Sequence, residues 1–79
     1  MVRVRLFAAV REAAGVAEVE VAPGTLGSVL ADLTERFGER FASVLGYASV
    51  LVDGERRGDP ATPVPDGSEL AVLPPFSGG

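Results

Sequence analysis

The residues best placed to do chemistry are the last two of the chain, Gly78 and Gly79. Glycine lacks a Cβ, so a Gly-Gly end can run extended down a slot too narrow for side chains and deliver its carboxylate to reactive groups at the far end. Pro74 and Pro75 stand just upstream, where their rings restrict φ and favour an extended exit. From Pro74 to Gly79 such a segment reaches roughly 20 Å at about 3.3 Å per residue. A carboxylate presented in this way is a handle for acyl chemistry. The expected reacting group is therefore Gly79, and the residues a partner would enclose are Pro75, Phe76, Ser77 and Gly78. Ending at Gly79, the chain is expected to need no maturation.

Little else in the sequence can act on a substrate. There is no cysteine, histidine or tryptophan, which removes disulfides, structural zinc, thiol nucleophiles and imidazole bases. The acidic residues are spread over turns and strand faces, so neither a carboxylate metal site nor a catalytic pair is expected, and no bound cofactor. A net charge of −4 argues against nucleic acid, which requires clustered positive charge. No apolar run approaches the ~20 residues of a membrane span, and Met1-Val2-Arg3-Val4-Arg5 lacks the apolar core of a secretory signal. A cytoplasmic protein with no membrane association is expected. All seven basic residues are arginine, so an activated terminus would meet no ε-amine on its own chain.

The elements that would position this terminus follow from periodicity. Residues Val2 to Val10 alternate as a strand, with Val2, Val4, Leu6 and Ala8 on a core face and Arg3, Arg5, Phe7 and Ala9 on the other. A turn closing at Gly15 leads to a second strand in which Ala17, Val19 and Val21 alternate with Glu18 and Glu20, giving a hairpin. Thr25 is the expected N-cap of a helix whose Leu26, Val29, Leu30, Leu33 and Phe37 share one face, and Gly38 its stop. Asp32 and Arg36 lie four apart on its solvent side. Phe41, Val44 and Leu45 fit a short helical turn. Tyr47 to Val52 reads as a strand joined through Asp53-Gly54 to a short return strand, Glu55-Arg56-Arg57. Residues Gly58 to Gly67 read as an irregular connection, and Glu69 to Leu73 as the last strand. The expected fold is α+β: a mixed sheet with one main helix packed on one face, the first and last strands central and parallel as in a β-grasp. It forms a single domain over 1–79, with a flexible tail from about residue 75.

Two stretches carry a family resemblance. Leu6-Phe7-Ala8-Ala9-Val10-Arg11-Glu12-Ala13-Ala14-Gly15 and the closing run from Asp66-Gly67-Ser68-Glu69 through Pro74-Pro75-Phe76-Ser77-Gly78-Gly79 resemble the small subunit of molybdopterin synthase, the MoaD-type branch of ubiquitin-like sulfur carriers. The family tail has a small aliphatic residue where this chain has Phe76, and carriers for thiamine, cysteine or tRNA thiolation share the fold and the Gly-Gly end. The resemblance implies a cycle centred on Gly79. A ubiquitin-activating-type adenylyltransferase uses ATP and Mg²⁺ to convert the carboxylate to an acyl adenylate. A sulfur donor, a desulfurase or rhodanese, then yields a thiocarboxylate. The tail next enters the large synthase subunit, where sulfur passes to a pyranopterin precursor. The chain would be a non-catalytic carrier subunit.

Phe7, on the arginine face of the first strand, and Leu73, on the outward face of the last, would form an exposed apolar patch beside the tail if those strands are neighbours. Such a patch is expected to be a partner interface rather than a second small core under a loop, with Arg3, Arg5 and Arg11 around it. Two other functions compete: a ubiquitin-like modifier whose Gly79 forms isopeptide bonds with lysines, and a plain interaction module with an idle tail.

Overall fold

Alternation carries the first strand only as far as Leu6. In the computed structural model, which describes residues 1–75, strand β1 is Val2–Leu6 and the chain then enters helix α1 (Ala8–Ala14). The strand expected to reach Val10, and the turn expected after it, are corrected by this helix. Ala8 and Ala9 are too small to mark a buried face, so they satisfy a strand pattern and a helical one equally, and alanine is the strongest helix former. Val10, Ala13 and Ala14 fall at i, i+3 and i+4. Val10 is buried and the two alanines pack beside it, whereas Ala8, expected on the core face, is exposed. Gly15, at φ 81°, closes α1 by donating its N–H to the Arg11 carbonyl at 2.8 Å.

Strand β2 (Glu18–Val21) pairs antiparallel with β1, Val2 opposite Val21 and Val4 opposite Val19. The expected pairing therefore holds, although a helix and not a turn makes the connection. A two-residue strand β3 (Gly24–Thr25) leads into α2 (Leu26–Phe37). The Thr25 hydroxyl accepts from the Ser28 N–H at 3.2 Å, and the Ser28 hydroxyl accepts from the Thr25 N–H at 3.0 Å, a reciprocal cap. The next two N–H groups of the helix start are also paired: Leu26 donates to the Thr62 carbonyl at 2.8 Å and Gly27 to that of Pro60 at 2.9 Å. Leu26, Val29 and Leu33 are buried, as the helical spacing requires, and Gly38 at φ 91° ends the helix. Arg36 binds Asp32 at 3.4 Å and also donates to the Glu20 carbonyl at 3.1 Å, so this surface pair ties α2 to strand β2.

Helix α3 (Glu39–Leu45) buries Phe41, whose ring lies 5.2 Å from that of Phe37. Strand β4 (Ser49–Val52) turns through Asp53 and Gly54, both at positive φ, into β5 (Glu55–Arg56). The segment expected to be irregular contains one more strand, β6 (Pro63–Val64), which pairs with β3 and buries Val64. Strand β7 (Glu69–Leu73) completes the sheet.

The five-stranded order is β2-β1-β7-β4-β5, with β7 parallel to β1 and antiparallel to β4. The first and last strands are thus adjacent and parallel, in the β-grasp, ubiquitin-like arrangement expected. Val2, Val4, Leu6, Leu70, Val72, Val50 and Val52 line one face of the sheet and pack with Leu26, Leu33 and Phe41 into a single core.

Candidate functional site

Because β7 is the middle strand, paired with β1 on one side and β4 on the other, Pro74 and Pro75 leave the sheet at its centre. Both prolines are exposed. Phe76, Ser77, Gly78 and Gly79 lie outside the described residues.

The register shows what surrounds this exit. Side chains of Val50, Val52, Leu70 and Val72 point to the core, so Leu51, Ala71 and Leu73 fall on the outer face, where Ala71 is opposite both Arg5 and Leu51. Leu6 pairs with Val72, which puts Phe7 one step on, beside Leu73. The Phe7 N–H donates to the Val72 carbonyl at 3.2 Å, and the Phe7 carbonyl accepts from Val10 at 3.1 Å and Arg11 at 3.3 Å. Its backbone is therefore fixed at the junction of β1 and α1. Phe7, Leu51, Ala71 and Leu73 are all half-buried. Phe7 and Leu73 thus share the outer face beside the tail as expected, half-buried and not fully exposed, and Leu51 and Ala71 join them.

Charge is distributed along the same face in the opposite sense. Toward the start of β1 and β7, Arg3 binds Glu18 at 3.1 Å and Arg5 approaches Glu69 at 4.0 Å. The Arg5 guanidinium also lies 5.7 Å from the centre of the Phe7 ring, a cation–π distance. The apolar end of the face is the end from which the tail departs. Arg11 is on α1, outside this row of strands.

Among the described residues there is no cluster of three or more histidine, cysteine or acidic side chains that could hold a metal, and no helix is long and apolar enough to cross a membrane. Asp66 is held below the usual carboxylate range by hydrogen bonding and attraction from the Met1 ammonium beside it. It lies in the turn before β7, at the opposite end of that strand from the tail.

A sequence profile of the ThiS family matches residues 4–79. The chain belongs to the ThiS family. As such it is a ubiquitin-like sulfur carrier of the ThiS/MoaD type. No curated protein matches the sequence. Among solved structures, SAMP1 from Haloferax volcanii is 31% identical, covers 99% of this chain and 98% of its own, and superposes with a TM-score of 0.76. The complex of subunits 1 and 2 of molybdopterin-converting factor from Helicobacter pylori matches at 27% identity over 99% of this chain and 97% of the other, with a TM-score of 0.75. The CysO component of the Amycolatopsis orientalis BexX/CysO complex matches at 25% identity over 100% of both chains, with a TM-score of 0.81.

Two features of this ThiS-family chain escape sequence reading. Leu51 sits in a continuous apolar run, where nothing distinguishes the outward residue from the core ones on either side. Tyr47, expected at the start of a strand, instead follows α3 and is 74% exposed. It lies beside residues of both α1 and α3, a non-local arrangement with no sequence signal.

Proposed function

We propose that the chain is the sulfur-carrying small subunit of a molybdopterin synthase, with Gly79 as the group that is activated and sulfurated. The observation that carries this reading is the position of the tail: it leaves the central strand at the apolar end of the outer sheet face, beside Phe7 and Leu73. A partner that binds this patch receives the tail at the same time. The likeness to subunit 1 of a molybdopterin-converting factor, itself in complex with subunit 2, supports the choice of pathway.

The chemistry follows from the handle. The Gly79 carboxylate attacks the α-phosphate of ATP in the adenylyltransferase, with Mg²⁺ there, and pyrophosphate leaves. The persulfide of a desulfurase or rhodanese attacks the acyl adenylate and displaces AMP, and a second thiol then cleaves the resulting acyl disulfide, releasing the thiocarboxylate and leaving a disulfide on the donor. In the large subunit the sulfur attacks the pyranopterin precursor, and water restores the carboxylate. Phe7, Leu73 and Pro75 dock and orient, Phe76 to Gly78 thread the slot, and the partners supply bases, metal and pocket.

The test is reconstitution. Thiocarboxylated chain mixed with a molybdopterin synthase large subunit should convert the cyclic precursor to the dithiolene product, and the unsulfurated chain should not. The likeness to SAMP1 favours a second reading, in which activated Gly79 is joined to lysines of other proteins. A ladder of covalent adducts on immunoblots of the tagged chain, with no dithiolene product in the reconstitution, would select it.

A further inference from the structure

A second apolar surface adjoins the tail. Helices α1 and α3 leave a groove of about 280 Å³ whose walls include Val10, Val44, Tyr47, Ala48, Pro74 and Pro75. No charged side chain lines it, and neither Phe7 nor Leu73 is among its walls. Tyr47 stands at its rim with three-quarters of its surface exposed. Tyrosine offers a large rigid contact at low entropic cost and is enriched where partners bind.

The length of the tail determines what can cover this groove. Four residues follow Pro75, and fully extended they reach roughly 13 Å at about 3.3 Å each. An enzyme that works on Gly79 at the end of so short a tether must bring the mouth of its slot against Pro74 and Pro75, which are themselves walls of the groove. Adenylation is the step that every version of the carrier or modifier reading requires, so the adenylating enzyme is the occupant common to all of them.

We infer that the groove between α1 and α3 is a docking site for the enzyme that adenylates Gly79, which fills it with an aliphatic or aromatic side chain from the rim of its slot. This rests on the carrier reading above. The tail is then held on two sides, by the Phe7–Leu73 patch and by the Tyr47 groove, and its direction is fixed before the carboxylate reaches ATP.

The experiment is ATP–pyrophosphate exchange by the adenylyltransferase that activates the wild-type chain, with the carrier as varied substrate. Two variants alter opposite walls: Tyr47→Asp charges the rim, and Ala9→Gln, at an exposed helical position, fills the opening from α1. Both keep the reacting terminus. KM for the carrier should rise about tenfold in each, with kcat unchanged and circular dichroism native, as expected for loss of a well-packed contact. KM values equal to wild type in both variants would overturn the inference. A lowered KM would also overturn it, in favour of a groove held by the chain's own Phe76 until displaced. A wild-type chain that supports no exchange would mark failure of the carrier reading itself, whereas an active wild type with indifferent variants would remove the groove alone.

Discussion

Replacing Phe7 by alanine separates a docking residue from a core residue. The backbone bonds at this position, from the Phe7 N–H to Val72 and from Val10 and Arg11 to the Phe7 carbonyl, survive the change because they involve no side chain. What is lost is a half-buried ring and its contact with Arg5 at 5.7 Å, about 0.5–1 kcal/mol at an exposed site. Partial burial of an aromatic ring adds about 1 kcal/mol, since complete burial contributes roughly 1.5–3 kcal/mol. The fold should therefore lose about 1.5–2 kcal/mol. Leu6→Ala, one residue earlier and 2% exposed, should lose about 2–5 kcal/mol. Affinity for the large synthase subunit should show the opposite order. Phe7→Ala should weaken it by about 1–3 kcal/mol, the cost of removing a central interface aromatic, and Leu6→Ala should leave it nearly unchanged under folding conditions. Urea denaturation and isothermal calorimetry on both variants give the four numbers. If Phe7→Ala proves as destabilising as Leu6→Ala and binds its partner as wild type does, the ring belongs to the core and the docking argument fails.

Other expectations are more local. Leu33, fully buried on α2, should cost about 2–5 kcal/mol on truncation to alanine, measured by chemical denaturation; a negligible loss would contradict the helix register. Thr25→Ala removes the hydroxyl that caps α2 and should cost about 0.5–2 kcal/mol in the same assay, whereas Thr25→Ser should recover most of it. Asp66 has a folded pKa depressed below its unfolded value, so its contribution is present above the unfolded carboxylate pKa and disappears as pH falls through the folded one. A carboxyl NMR titration should show Asp66 titrating below the usual aspartate range, and acetylation of the Met1 amine should raise it.

The legible parts of the fold are those where large apolar residues repeat at one period. Leu26, Val29 and Leu33 defined α2, Thr25 and Gly38 marked its ends, and Glu69 to Leu73 alternated as a strand. Helix α1 was missed because Ala8 and Ala9 carry no facial information. Strand β6 was missed because two residues, one of them a proline, show no period, and their partner β3 lies far away in sequence. The outer-face placement of Phe7 and Leu73 is legible because each breaks the polar side of an alternating strand. The placements of Leu51 and Tyr47 are not, since they depend on sheet register and on helix packing.

The central claim is that the Gly79 carboxylate is activated and carries sulfur, and mass spectrometry of the intact chain tests it most directly. After incubation with its adenylyltransferase, ATP, Mg²⁺ and a sulfur donor, the chain should gain the mass of one oxygen-to-sulfur exchange, located at Gly79 by fragmentation. Removing Gly79, or appending an alanine after it, should abolish the gain while circular dichroism stays native. A chain that is adenylated at Gly79 yet never acquires sulfur from any donor would contradict the account.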